Sequence, residues 1–137
     1  MSNQVYPKWK QENEKGTSGT NLNGSGTTGV YAQLVTSGYS YNAAHQYFSD
    51  LGANTLGTAF ELGSKTFVNG LFDAADGTWT AVTAGTGTAI ILFVKNAGAN
   101  TTWPLYAYID TGVTGLPVTT SGADVNITWN ASGIIQN

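Results

Sequence analysis

The stretch Thr88–Asn96, TAIILFVKN, followed by AGANTT (97–102) and WPLYAYID (103–110), decides the fold of this chain. Ala89 to Val94 is an unbroken apolar run rich in β-branched and aromatic residues. A short run of this kind between turn residues predicts a strand buried on both faces. Trp103 to Asp110 predicts a second strand. Gly98 and Asn100 lie between the two and are suited to turning the chain back. The expectation is an antiparallel pair near the middle of a sheet.

Working outward, alternation predicts strands over Val30–Thr36, Thr55–Leu62, Lys65–Phe72, Thr78–Thr83 and Asp124–Asn130, with a last short one at Ile134-Ile135. Gly-rich breaks separate them, and the segment TGVTGLP after Asp110 reads as a loop. Asn42–Leu51 (NAAHQYFSDL) predicts a helix, with Asn42 as N-cap, Ala44, Tyr47, Phe48 and Leu51 on one face, and Gly52 as its stop. His45 falls off that stripe and reads as solvent-facing or locally bonded. Many short strands at regular spacing predict a mainly β fold: an antiparallel β-sandwich or jelly-roll with one short helix and an extended N-terminal arm.

The arm is residues 1–29, ahead of a sandwich domain over 30–137. Pro7 and Gly16 bracket a short polar helix on which Tyr6 and Trp9 share a face. The stretch from Gly16 to Gly29 is nearly all Gly, Ser, Thr and Asn, which is linker composition. Fully extended, it would reach on the order of 45 Å. Such a segment reads either as a disordered tail or as an arm that orders on a partner, with Trp9 as its anchor.

Composition narrows the function. The 137 residues make one ordinary domain, 41% hydrophobic and only 9% charged, against an average of about 25% charged. There is no arginine, and three of the five lysines (Lys8, Lys10 and Lys15) precede residue 16. With a net charge of −3, the chain lacks the basic field that nucleic acid demands. It has no cysteine for a disulfide or thiolate zinc site, and one histidine cannot build a polyhistidine metal site. No apolar run approaches the length that spans a bilayer, and the start lacks a signal-peptide apolar region. The expectation is a soluble protein made in a cytoplasm. A surface of Gly, Thr, Asn and Ser has little rotamer entropy to lose on contact, which suits a protein packed against neighbours.

The motifs that hint at chemistry have simpler readings. Asp110-Thr111-Gly112 resembles the aspartic-protease tripeptide, but that reaction needs two carboxylates sharing a proton. Only 25 residues follow Gly112, too few to complete a site. A turn is the better reading. Asp73 and Asp76 in DAADG fall short of the six to eight oxygens around calcium. Trp79, Trp103 and Trp129 on strands would serve a carbohydrate-binding module if exposed, but strand tryptophans usually belong to a core. No cofactor, metal site or catalytic set is expected.

Several motifs occur together in one order: His45–Asp50 (HQYFSD), Gly63–Thr66 (GSKT), Gly70–Asp76 (GLFDAAD), Pro104–Gly112 (PLYAYIDTG), Gly115–Val118 (GLPV) and Val125–Trp129 (VNITW). With Tyr6, Lys8, Lys10 and Gly16 at the start, they resemble a family of tailed-bacteriophage virion structural proteins. The resemblance implies a non-enzymatic protein, most specifically a capsid decoration (cement) protein on the capsid exterior. Its expected partners are the major capsid protein and itself, as a homotrimer, with no nucleic acid and no membrane. Tyr6, Lys8, Trp9 and Lys10 are the expected coat-protein contacts. The alternatives are a tail, adaptor or fibre component, and a carbohydrate-binding β-sandwich module.

Overall fold

The computed structural model describes residues 3–136. Eleven strands run β1 Gln4–Val5, β2 Val30–Thr36, β3 Thr55–Glu61, β4 Thr66–Val68, β5 Leu71–Asp73, β6 Gly77–Trp79, β7 Gly85–Val94, β8 Leu105–Ile109, β9 Val118–Thr120, β10 Val125–Ile127 and β11 Ile135–Gln136. One α-helix, α1, spans Pro7–Glu14. The main sheet has the order β1-β8-β7-β2-β3, with β9 beside the first residues of β7. Two smaller sheets, β10-β6 and β11-β5-β4, complete a mainly β, antiparallel, sandwich-like fold.

The predicted central pair is there. β7 pairs antiparallel with β8, placing Ile91 opposite Tyr108 and Leu92 opposite Ala107. Ala89–Leu92 and Leu105–Ala107 are fully buried. β7 also pairs with β2, Leu34 facing Ile90 and Tyr31 facing Phe93.

Because side chains alternate across a sheet, Ala32, Leu34, Ile90 and Leu92 share one face and Tyr31, Gln33, Ile91 and Phe93 the other. The first face packs on the smaller sheets. Fully buried Trp79 donates its indole N–H to the Ala32 carbonyl at 3.0 Å and stands edge-on to Phe60 at 4.9 Å. Phe72 meets Tyr106 edge-on at 5.6 Å. Trp79 and Trp129 are core residues, 0% and 5% exposed.

The segment predicted as a helix over Asn42–Leu51 is not one. The Asn42 side chain accepts the Ala44 N–H, and the Asp50 carboxylate accepts the N–H groups of Gln46 (2.8 Å) and Tyr47 (3.0 Å). Leu105 N–H goes to the Gln46 carbonyl and Phe48 N–H to the Trp103 carbonyl. Backbone groups that a helix would use internally are thus spent on β8 and on local side chains. Only a 3-10 turn forms, Phe48–Leu51. His45 is locally bonded, its Nδ1 lying 2.9 Å from the Tyr39 hydroxyl.

The predicted strand Lys65–Phe72 is two strands. Asn69 and Gly70 have φ of 51° and 81°, which turns the chain between β4 and β5 in the manner of a type I′ hairpin. The predicted strand Thr78–Thr83 ends at Trp79.

The N-terminal segment does not stand apart from the domain. β1 adds to the edge of β8, Gln4 opposite Tyr108 and Val5 opposite Ala107. Val5, Tyr6, Trp9 and Leu22 belong to the same core as the sandwich. The Gly-rich stretch is pinned as well. The Glu61 carboxylate accepts the Gly26 N–H at 2.7 Å, the Lys65 ammonium donates to the Gly24 carbonyl, and the Tyr31 hydroxyl donates to the Gly26 carbonyl at 3.0 Å. Residue 29 therefore marks no break between cores.

Candidate docking surface

Of the four residues expected to touch a partner, two are spent inside the chain. Pro7 opens α1 and leaves Tyr6 in an extended conformation just before it. The Tyr6 ring is fully buried, and its hydroxyl lies 2.6 Å from that of Tyr39. Burial, then the hydrogen bond to Tyr39, pushes the Tyr6 phenol well above its ordinary range. Trp9 is 7% exposed. Its indole donates to the Thr20 carbonyl at 3.1 Å and its ring stands edge-on to Tyr106. Tyr6 and Trp9 are thus not free anchors. A short polar helix has little apolar surface of its own, so it holds its place by lodging these two rings in the sheet. Lys10 is exposed and Lys8 half-buried, both on α1.

Beside the helix lies an open cleft of about 530 Å³, walled by Trp9, Asn13 and loop 16–23 and faced on its far side by Phe67. Thr20 and Leu22 are buried in that wall. Asn13 donates to the Thr20 hydroxyl at 3.3 Å, and that hydroxyl donates to the Thr17 carbonyl at 2.8 Å. A loop that reads as linker is therefore folded into a fixed wall.

Phe67 and Val68 are the large apolar side chains left in solvent among the described residues, 44% and 60% exposed. Both sit on β4, the outer strand of its sheet, whose three residues are all exposed. Phe67 rests against the fully buried Phe72, with ring centroids 5.4 Å apart and planes tilted by 41°. An uncovered edge strand carrying apolar residues is a site that natural proteins usually blunt or use.

The chain matches no known protein family, no curated protein and no solved structure.

The Asp110-Thr111-Gly112 tripeptide forms a turn. The Asn3 side chain accepts the N–H groups of Asp110 (2.8 Å) and Thr111 (3.0 Å) and donates to the Thr111 carbonyl. Gly112 takes φ of 75°. The two aspartates of DAADG also organise backbone: Asp73 accepts the Ala74 N–H and Asp76 the Trp129 N–H. Among the described residues no group of three or more His, Asp or Glu side chains is placed to hold a metal. No helix among them is long and apolar enough to cross a membrane.

A second feature lies on the other face of the main sheet. Trp103, half-exposed, stacks on Phe93 with planes 11° apart and centroids 5.7 Å apart. Phe93 stacks in turn on Tyr31 at 6.0 Å, and Phe48 closes the group at 4.6 Å from Phe93. The Lys95 ammonium lies over both outer rings, 4.9 Å from Tyr31 and 5.3 Å from Trp103.

Sequence reasoning passed over Phe67, Val68, Tyr31, Phe48 and Lys95. A signal existed for the first two, since Asn69-Gly70 between apolar residues marks a hairpin and hence a new edge. The grouping around Lys95 has no such sequence signal, because it depends on the register that sets Tyr31 opposite Phe93.

Proposed function

We propose that this chain is a non-enzymatic structural protein of a tailed-phage virion. Specifically, we propose a decoration protein that binds the outside of the major capsid protein lattice as a homotrimer and stabilises the head. The observation that carries this reading is the exposed Phe67 on the open edge of β4, facing the cleft, with Val68 exposed on the opposite face of the same strand. The sequence resemblance supports the same reading.

An apolar ring held over a firm core loses little entropy on docking, and an adjacent unpaired strand can add main-chain hydrogen bonds from an extended segment. Each contact is small. Three copies in a trimer raise the effective affinity without new chemistry. Lys10 and Lys8 beside the cleft supply cations for acidic coat residues. The N-terminal segment acts in this scheme as a fixed wall of the docking cleft. In this reading the protein is made in the host cytoplasm and assembles on the capsid exterior.

Copy number tests the proposal. Quantitative mass spectrometry of purified particles should give a ratio to the major capsid protein near one to one. A ratio below a few per cent would move the protein to the tail or neck, and absence from the particle would end the virion reading.

A further inference from the structure

Lys95 is held in an unusual place for a surface lysine. Its stem leaves the end of β7, and its ammonium lies above the faces of Tyr31 and Trp103. Among the described residues no carboxylate is within ion-pair distance of it. Glu61, the acidic group that acts on Tyr31, is occupied by the Gly26 N–H. Beside Lys95 the sheet opens into a pit of about 210 Å³, lined by Tyr31, Phe48, Thr58, Phe93, Lys95 and Trp103.

The pit is a built feature. β3 bulges here: Ala32 pairs with Phe60 but Leu34 with Leu56, so the three residues Gly57 to Ala59 stand opposite Gln33 alone, two more than a regular ladder holds. The Gln33 side chain, 3% exposed, fills the gap: its two Nε2–H groups are shared among the carbonyls of Leu34 (2.9 Å), Leu56 (3.1 Å) and Gly57 (3.1 Å). The bulge places Thr58 in the lining of the pit with Lys95. Trp103 is fixed by its indole N–H, which donates to the Asn96 and Gly98 carbonyls, both at 3.1 Å.

We propose that this pit is a binding subsite for one carboxylated sugar residue, a hexuronate within a saccharide chain. Its volume lies below the roughly 300–1,000 Å³ of drug-sized sites, which leaves room for a single ring. Half-exposed aromatic faces accept the C–H face of a pyranose, whose remaining edge is hydroxyl. Thr58 can hydrogen-bond those hydroxyls, and the unpaired Lys95 can leave the ring faces to meet a carboxylate. A phosphate would need several cationic or backbone donors converging, and the pit offers one ammonium. A purely apolar ligand would leave Lys95 desolvated over it. This inference does not depend on the proposed capsid role: a protein absent from particles could still bind the sugar.

The test uses the full chain and the indole N–H resonances of its tryptophans, with Trp103→Phe assigning the one that matters. Titration with tetragalacturonate should shift the Trp103 signal saturably and leave Trp79 and Trp129 unmoved. The neutral galactose tetramer should bind at least tenfold more weakly. Lys95→Gln should remove that preference, and Lys95→Glu should abolish uronate binding while the other tryptophan signals show an intact fold. No saturable shift at millimolar tetragalacturonate would overturn the proposal. So would equal binding of the neutral sugar, or equal binding of a carboxylate without a sugar ring, such as acetyl-phenylalanine.

Discussion

The indole of Trp9 stands edge-on to the ring of Tyr106, with centroids 4.6 Å apart and planes 63° apart. That contact joins α1 to β8 and makes the N-terminal segment part of the core. Replacing Trp9 with alanine should cost about 3–5 kcal/mol, the usual loss for a buried aromatic, and Trp9→Phe considerably less. Urea denaturation followed by far-UV circular dichroism checks it. Truncation at residue 16 should be at least as damaging, since it removes β1, Tyr6 and Trp9 together. A truncated chain as stable as the full one would contradict the packing.

How far this arrangement was legible differs by element. β7 and β8 could be read because an apolar run bounded by turns needs no knowledge of its neighbours. α1 could be read because Pro7 and Gly16 act locally. The burial of Trp9 could not, since the Gly/Ser/Thr stretch that folds over it has the composition of a linker. The false helix over Asn42–Leu51 has the same root: Gln46 and Phe48 bond to residues of the β8 entry nearly 60 positions away (Leu105 and Trp103), which periodicity cannot reveal. For the candidate site, Lys8 and Lys10 were legible as helix-borne cations. Phe67 was hidden by reading one strand across Asn69-Gly70.

Tyr6 gives a pH signature. Burial and the Tyr39 hydrogen bond hold its phenol above its ordinary value of 10.0 in the folded chain. The folded state therefore keeps a proton that the unfolded state releases. Stability from this group is full below pH 10 and falls as pH rises beyond it. Tyr39 and Tyr108 are also raised, chiefly by burial, and act in the same direction. Tyr6→Phe should cost about 1 kcal/mol at pH 7 and should flatten the decline between pH 9 and 11. Denaturation midpoints across that range provide the measurement.

At the acid end Asp50 acts with the opposite sign. Burial alone would raise its carboxyl, but the N–H groups of Tyr47 and Gln46, with His45, outweigh that and hold it low. Its contribution is present above its ordinary value of 3.8 and is lost as pH falls below that. Asp50→Asn should be less stable than the parent at pH 7, and the difference should shrink toward pH 3. A gap that stays constant with pH would mean that the carboxylate charge does not matter to the 3-10 turn.

Gly77 tests the sandwich interior. A Cβ there would stand 2.1 Å from Phe60 Cε1, in the ring that meets Trp79 edge-on. Gly77→Ala should cost about 1–3 kcal/mol through overpacking. Pairing it with Phe60→Leu should recover part of the loss, because the shorter side chain makes room. A double-mutant cycle by thermal melting separates that recovery from simple additivity.

The edge strand separates docking from folding. Phe67 and Val68 are 44% and 60% exposed, so the double change Phe67→Ser with Val68→Thr should cost about 1–2 kcal/mol, mainly the Phe67–Phe72 contact, and leave the chain folded. If these side chains are what the coat lattice grips, the same protein should fail to cosediment with undecorated shells that bind the parent. Lys10→Gln should weaken binding less and make what remains less sensitive to salt, because it removes a screened surface charge rather than the apolar anchor. Full decoration by the double variant would move the contact away from β4, and the cleft wall of loop 16–23 would then be the next place to substitute.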